Sequence, residues 1–259
     1  MKVPTLASMA AEGKKPDVLF WVGCSGSFDE RAKKITKAFV KILNKADMSF
    51  AVLGTEESCS GDPAKRSGNE FLFQMQALVN IELMNSYNIT NIVTTCPHCF
   101  NTLKNEYPEL GGNYIVQHHT QFLNWMLKQG KFSIKGGKFK GKRITFHDPC
   151  YLGRGNNIYE APRELIKKLD VELVEMKNCR SKGLCCGAGG AQMFKEPEKG
   201  NKEINIKRTE QALELKPDII AAGCPFCNTM MTDGLKSKEK DDIIIVKDIA
   251  ELIAEAQNL

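Results

Sequence analysis

Asp218-Ile219-Ile220-Ala221-Ala222-Gly223-Cys224-Pro225-Phe226-Cys227 is an apolar run that ends in two thiols around a proline. The run has the length of a short buried strand, and proline suits the first turn of a helix, where its missing N–H is harmless. The same arrangement stands earlier as Asn91-Ile92-Val93-Thr94-Thr95-Cys96-Pro97-His98-Cys99. Nine of the ten cysteines fall into register around these two stretches. Cys24 and Cys59 recur 126 positions later as Cys150 and Cys185, and Cys96 and Cys99 recur 128 positions later as Cys224 and Cys227. In both copies the second cysteine stands 35 positions after the first and is followed by Ser60-Gly61 in one copy and Cys186-Gly187 in the other. The chain is thus two copies of one thiol-rich unit, with four thiols in the first and five in the second.

Working outward, both halves alternate strand and helix. Strands are expected at Asp17 to Gly23, Met48 to Leu53, Asn91 to Thr95 and Tyr114 to Gln117, then at Arg143 to Phe146, Val171 to Met176, Asp218 to Ala222 and Ile243 to Val246. Amphipathic stretches at Arg31 to Lys45, Glu70 to Tyr87 and Thr120 to Leu127, and at Pro162 to Leu169, Lys202 to Leu215 and Asp248 to Ala256, read as helices. The fold expected is α/β: two tandem similar lobes, residues 1–134 and 135–259, each a small parallel sheet flanked by helices. Lys131 to Lys142, with five lysines and three glycines in twelve residues, reads as an exposed connector, a solvated hairpin. Cys24, Cys96, Cys150 and Cys224 all stand just past carboxyl ends of strands, the edge at which open parallel sheets bind ligands.

Composition narrows the function. A chain of 259 residues, 42% hydrophobic and 26% charged, can bury a full core. No run approaches a membrane span, and Val3 to Ala11 lacks the basic front of a signal peptide, so a cytoplasmic location is expected. There, dense cysteine means metal or redox chemistry more often than structural disulfides. The net charge of +5 comes with scattered lysines and no aromatic interleaving, which argues against nucleic acid. No Gly-x-Gly-x-x-Gly follows a strand, so neither NAD nor flavin binding is supported.

Three cofactor readings compete. Zinc is satisfied by four tetrahedral thiolates, which fits the first set and leaves a surplus thiol in the second. A thiol–disulfide oxidoreductase fits Cys96-Pro97-His98-Cys99 and ignores the other cysteines of the repeat. Iron–sulfur ligation accounts for all nine repeated cysteines.

The pattern of Cys, Cys-Cys-Gly and Cys-Pro-x-Cys at these spacings resembles the cysteine-rich CCG domain, over essentially the whole chain in two copies. The chain is similar to the B-type subunit of heterodisulfide reductase. Glu57-Ser58-Cys59-Ser60-Gly61-Asp62-Pro63, Gly68-Asn69-Glu70-Phe71, Thr95-Cys96-Pro97-His98-Cys99-Phe100-Asn101-Thr102 and His147-Asp148-Pro149-Cys150-Tyr151-Leu152-Gly153-Arg154 further resemble the C-terminal catalytic part of membrane-linked electron-transfer-flavoprotein:quinone-type iron–sulfur oxidoreductases. The resemblance implies an oxidoreductase subunit holding two iron–sulfur clusters of the 4Fe-4S type. Cys150, Cys185, Cys186, Cys224 and Cys227 would hold a catalytic non-cubane cluster. Cys24, Cys59, Cys96 and Cys99 would hold an ordinary cubane, with Ser60 or Asp62 as an additional oxygen ligand or neighbour. The ferredoxin run Cys-x-x-Cys-x-x-Cys is absent, so the resemblance implies a ferredoxin-like or membrane-linked Fe-S/haem partner subunit, or electron-transfer flavoprotein, and a peripheral place at the inner face of the membrane through such partners. A lactate-utilisation-type protein of a soluble hydroxy-acid oxidase complex and, from another class, a zinc-stapled binding scaffold are the alternatives.

Four histidines stand near the thiols in sequence. His98 lies between two ligand candidates and is expected to tune rather than bind metal. His147 precedes Cys150 and is a candidate proton donor. His118 and His119 are expected to be structural, and Cys179, without a counterpart in the first half, to be a spare thiol.

Overall fold

The computed structural model describes residues 2–196 and 200–259, which form two compact units, one running to Phe132 and the other starting at Ser133. In the first lobe β1 (Val18–Trp21), β2 (Phe50–Ala51), β3 (Asn91–Thr94) and β4 (Ile115–His118) make one sheet in the order β2-β1-β3-β4. Every pairing is parallel, with Leu19 opposite Ala51 on one side and Ile92 on the other. The chain therefore leaves β1 for one neighbour and later returns to the other side. Right-handed crossovers then carry the intervening helices to opposite faces of the sheet.

Helix α1 (Leu6–Ala11) begins at a Thr5–Ser8 capping box and leads towards β1. Helix α2 (Gly23–Phe28) follows β1 directly, then α3 (Glu30–Lys45), capped where Asp29 accepts the Ala32 N–H. The apolar face of α3 buries Ile35, Phe39, Ile42 and Leu43, and Phe39 meets Phe20 of β1 edge to face. Helices α4 (Asp62–Arg66) and α5 (Glu70–Ser86) lie between β2 and β3, α6 (Pro97–Asn101) follows β3, and α7 (His119–Lys128) follows β4.

The second lobe repeats the frame with β5 (Arg143–Phe146), β6 (Glu172–Val174), β7 (Ile219–Ala222) and β8 (Ile245–Asp248), ordered β6-β5-β7-β8 and again parallel throughout. Its helices are α8 (Glu160–Lys167), α9 (Ile204–Leu213), α10 (Pro225–Ser237) and α11 (Ile249–Ala256), the last opened by an Asp248–Glu251 capping box.

The two-lobed parallel α/β frame read from the sequence is the one observed, with all eight strands present. Two local expectations change. The first strand stops at Trp21 because Gly23, at φ +78°, turns the chain into α2, so Cys24 rides on a short helix. The corresponding stretch after β5 makes turns instead, and Cys150 sits among them. The lysine-rich connector forms a turn around buried Phe139 and not a hairpin, since none of its residues joins a strand.

Helices α9 and α10 pack closely through Gly234, where an added Cβ would fall against Thr209 Oγ1 and 3.2 Å from the Asn205 carbonyl oxygen. Gly234→Ala is expected to destabilise the protein by about 1–3 kcal/mol through overpacking, although alanine is the better helix former. A urea midpoint equal to or above that of the parent protein would contradict this packing.

Candidate metal centres at the sheet edges

Strand order places the tips of β1 and β3 side by side where the chain reverses direction across the sheet, which is where α/β sheets open a crevice. Cys24 follows β1, and Cys96 and Cys99 open α6 after β3. Cys59 arrives from the segment after β2. Cys24 and Cys59 hydrogen-bond each other, as do Cys96 and Cys99, and Cys24 feels the charges of both Cys96 and Cys99. Ser60 Oγ donates to Cys99 Sγ at 3.6 Å, and the Gly61 N–H donates to Cys59 Sγ at 3.5 Å. A Cβ on Gly23 would stand 3.3 Å from Cys99 Sγ, so glycine lets the α2 backbone approach that thiol. The four thiols form one group.

In the second lobe the tips of β5 and β7 adjoin in the same way. Cys150 bonds Cys185, Cys185 bonds Cys186, Cys186 bonds Cys227 at 3.2 Å and Cys227 bonds Cys224, so all five thiols form one connected group. The Gly187 N–H donates to Cys185 Sγ at 3.3 Å, repeating the role of Gly61. These two glycines, at φ +91° and +94°, hold a left-handed conformation that turns their N–H groups back onto the thiols. None of these cysteines is in a disulfide. Cys179 lies apart, its charged neighbours being Glu175, Arg163, Asp148 and Arg180.

The electrostatics of both groups follow from crowding. The hydrogen bond it gives to Cys59, together with burial, pushes Cys24 far above the usual thiol range, while the same bond and the Gly61 N–H pull Cys59 down to about 6. Bonds from Cys150 and Cys186 likewise hold Cys185 well below that range, and Cys150, Cys186 and Cys227 are pushed up. Each group thus readily gives up one proton and resists losing the rest unless positive charge enters. Multivalent metal supplies that charge, and soft thiolates fit it.

Polar braces fix the thiol-bearing loops. Glu57 accepts the N–H groups of Val22, at 3.0 Å, and of Gly23, tying the Cys59 loop to the start of α2; burial pushes its carboxyl up to about 7. Asn80 of α5 donates to the Cys59 carbonyl at 2.9 Å, and Tyr107 Oη donates to the Ser60 carbonyl at 3.1 Å. His98 Nδ1 lies 3.0 Å from Asp62 Oδ2, and Arg66 Nε lies 3.2 Å from Asp62 Oδ1. Both Asp62 oxygens are therefore engaged. Burial opposes the charge on Asp62, but His98 and Arg66 hold its pKa below the usual carboxylate value. In the second lobe Arg163, 1% exposed, grips Asp148 with two nitrogens at 2.7 and 2.9 Å and also bonds Glu175, while Asp148 accepts the Arg180 N–H at 2.7 Å.

His147 is buried beside the second group: one ring nitrogen and the sulfurs of Cys186 and Cys227 all lie within 4.8 Å of one another. Burial, reinforced by the Arg208 guanidinium, pulls its pKa down to about 3. His118 and His119 pack against Phe100 and Phe39 at the start of α7, and His118 Nδ1 lies 2.7 Å from Thr120 Oγ1. A cavity of about 700 Å³ opens beside Cys185, with Leu184, Met193, Ile204 and Met230 on its apolar walls and Gln192 and Asn205 among its polar ones.

Sequence reasoning missed Glu57, Asn80, Tyr107, Arg163 and Arg208 as structural determinants of the site. A signal was present for Asn80 and Arg208, polar residues at inward positions of α5 and α9.

The cysteine-rich domain family, CCG, matches residues 18–104 and 144–232, one copy in each lobe, and the chain belongs to this family. It is 48% identical over 98% of its length to the probable iron-sulfur-binding oxidoreductase FadF of Bacillus subtilis, and 43% identical over 95% to the EtfAB:quinone oxidoreductase of Syntrophomonas wolfei. It is 34% identical over 95% to the D-type subunit of the dihydromethanophenazine:CoB–CoM heterodisulfide reductase of Methanosarcina barkeri. The chain spans 36%, 35% and 60% of those relatives. The heterodisulfide reductase match is thus to the D-type subunit, where the motifs pointed to the B-type. Among solved structures, a hypothetical protein from Helicobacter pylori shares the fold, with a TM-score of 0.58 and 10% identity over 93% of this chain and 49% of that one.

In reduced, metal-free protein at pH 7, limiting iodoacetamide is expected to alkylate Cys59 and Cys185 before Cys24 and Cys150. The Cys59 rate should fall as pH drops through about 6, because its thiolate is lost there. Peptide mass mapping reads the order; uniform labelling of the four would contradict the shared-proton arrangement.

Proposed function

We propose that the chain is an iron–sulfur electron-transfer unit of an oxidoreductase, with one cluster in each lobe. The observation that carries this reading is the duplicated convergence of four and five undisulfided thiols at the same sheet edge. When bound, an iron–sulfur cluster supplies reversible one-electron storage at a potential set by its surroundings. Cys24, Cys59, Cys96 and Cys99 would ligate in the first lobe, and Cys150, Cys185, Cys186, Cys224 and Cys227 in the second. The residues present fit such a group: N–H donors from Gly61 and Gly187 point at sulfur, and Gly23 leaves room beside Cys99. A fifth thiol in direct contact with two others is one more than tetrahedral zinc takes, which favours iron and a non-cubane arrangement in the second lobe over a zinc staple.

The name of FadF supports an iron–sulfur oxidoreductase role, and that of the EtfAB:quinone oxidoreductase supports a place between an electron-transfer flavoprotein and quinone-linked partners. The heterodisulfide reductase name supports a disulfide as the second candidate acceptor. No helix among the described residues is long and apolar enough to cross a membrane. Helix α5 exposes Phe71, Leu72, Met75, Leu78 and Val79 along its outer side, an apolar stripe suited to a protein partner.

Cys186→Ser is expected to abolish the spectroscopic signal of one cluster and lower iron content by about half, assuming two four-iron clusters, with the other signal retained. Cys96→Ser should do the reverse. Equal loss of both signals in either variant, or unchanged iron in both, would overturn the assignment of one cluster per lobe.

A further inference from the structure

The two lobes carry a matched pair of buried ring N–H groups that the protein itself does not satisfy. Phe20 pairs with Val93 and Phe146 pairs with Ala221, so Trp21 and His147, the next residues, occupy the same position at the tip of the central strand. Each stands three residues before the first cysteine of its lobe. Trp21 is 0% and His147 1% exposed, and among the described residues neither Trp21 Nε1 nor His147 Nε2 has a hydrogen-bond partner. A buried donor left without an acceptor costs about 1–3 kcal/mol, so an unfilled pair in duplicate points to an acceptor that belongs there.

The His147 tautomer is fixed by chemistry. Arg208 Nε lies 3.0 Å from His147 Nδ1, and a guanidinium only donates, so Nδ1 must present its lone pair. In the neutral ring the hydrogen then sits on Nε2, the nitrogen without a partner. A ring nitrogen of His147 lies within 4.8 Å of the sulfurs of Cys186 and Cys227.

Behind His147 the lobes differ. The inward positions of α5 include Phe73, Ala77, Asn80, Ile81 and Met84, and those of α9 include Asn205, Arg208, Thr209 and Ala212. The offset of 128 that relates Cys96 to Cys224 superposes Ala77 on Asn205, Asn80 on Arg208, Ile81 on Thr209 and Met84 on Ala212. Asn80 braces the Cys59 carbonyl, whereas Arg208 backs His147 and also bonds the Asn178 carbonyl and Gln211. Arg208 is 0% exposed, and among the described residues no carboxylate pairs with it, leaving Nη2 without a partner. A guanidinium at that depth calls for negative charge, and besides Asp148, which Arg163 already grips, the groups acting on it include Cys227 and Cys186.

We propose that Trp21 and His147 are equivalent N–H donors to sulfur of the iron–sulfur group in their respective lobes, and that the His147–Arg208 pair raises the reduction potential in the second lobe. The inference rests on the iron–sulfur reading. Donors to sulfur and fixed positive charge both stabilise the added electron, so their loss lowers the potential. Trp21 offers an uncharged donor, while His147 offers one oriented by a buried charge.

The test is a spectroscopically monitored redox titration of the anaerobically prepared full chain. His147→Leu should make reduction in the second lobe at least tenfold less favourable, 59 mV for one electron, and leave the first lobe unchanged. His147→Gln, which restores an N–H near the same place, should recover most of that shift. Arg208→Met should lower the second potential with His147 intact, and Trp21→Phe should lower only the first. A His147→Leu protein with full iron and a second-lobe equilibrium within twofold of the parent would overturn the proposal, as would a His147→Gln protein no different from it. Should His147→Leu fail to fold or load, an unshifted second potential in Arg208→Met overturns it instead. Parent protein lacking iron altogether would defeat the iron–sulfur reading itself, a distinguishable result.

Discussion

Thiols buried against one another at the carboxyl edge of a parallel sheet are the constraint on which this structure depends. A lone buried thiol is a small apolar group, but four or five in mutual contact cannot all ionise without a cation among them. The lobes show the consequence: one sulfur in each set, Cys59 or Cys185, takes the charge, and its neighbours are held protonated. The sheet makes the crowding possible, because the order β2-β1-β3-β4 and its repeat bring loops from distant parts of the chain to one place.

Holding such loops together takes polar braces, and the two lobes build them with opposite polarity. In the first, the carboxylate is Glu57 on the Cys59 loop and the donors are backbone N–H groups of the Cys24 segment. In the second, the carboxylate is Asp148 beside Cys150, and the donor is the Arg180 N–H on the stretch leading to Cys185, with Arg163 neutralising the buried charge. Duplication has kept the positions of the metal-ligand candidates while their supports have changed. The extra thiol Cys186 and the buried Arg208 lie on the same lobe, so the second group has one more thiol than the first and a fully buried guanidinium beside it.

Much of this was legible in the sequence for identifiable reasons. Buried parallel strands are short continuous apolar runs, so Ile219 to Ala222 and Ile92 to Thr94 announce themselves, and the cysteine spacing shows which loops must meet. The braces were not legible. Asn80 interrupts the apolar inward face of α5 and Arg208 stands on the mostly polar inward face of α9, and nothing local says that either reaches a loop carbonyl or an imidazole. Glu57 and Arg163 act on partners 35 and 15 residues away. That both Asp62 oxygens meet His98 and Arg66 could not be read from the sequence, because those contacts exist only in three dimensions. The α2 helix was missed because a glycine after a strand signals a turn without fixing the element beyond it.

Iron and acid-labile sulfide per chain, measured on protein prepared without oxygen, test the central claim most directly. Two four-iron groups predict ~8 irons with inorganic sulfide alongside, and little zinc. Protein that folds with its thiols intact but carries zinc, or neither iron nor sulfide, would contradict the account.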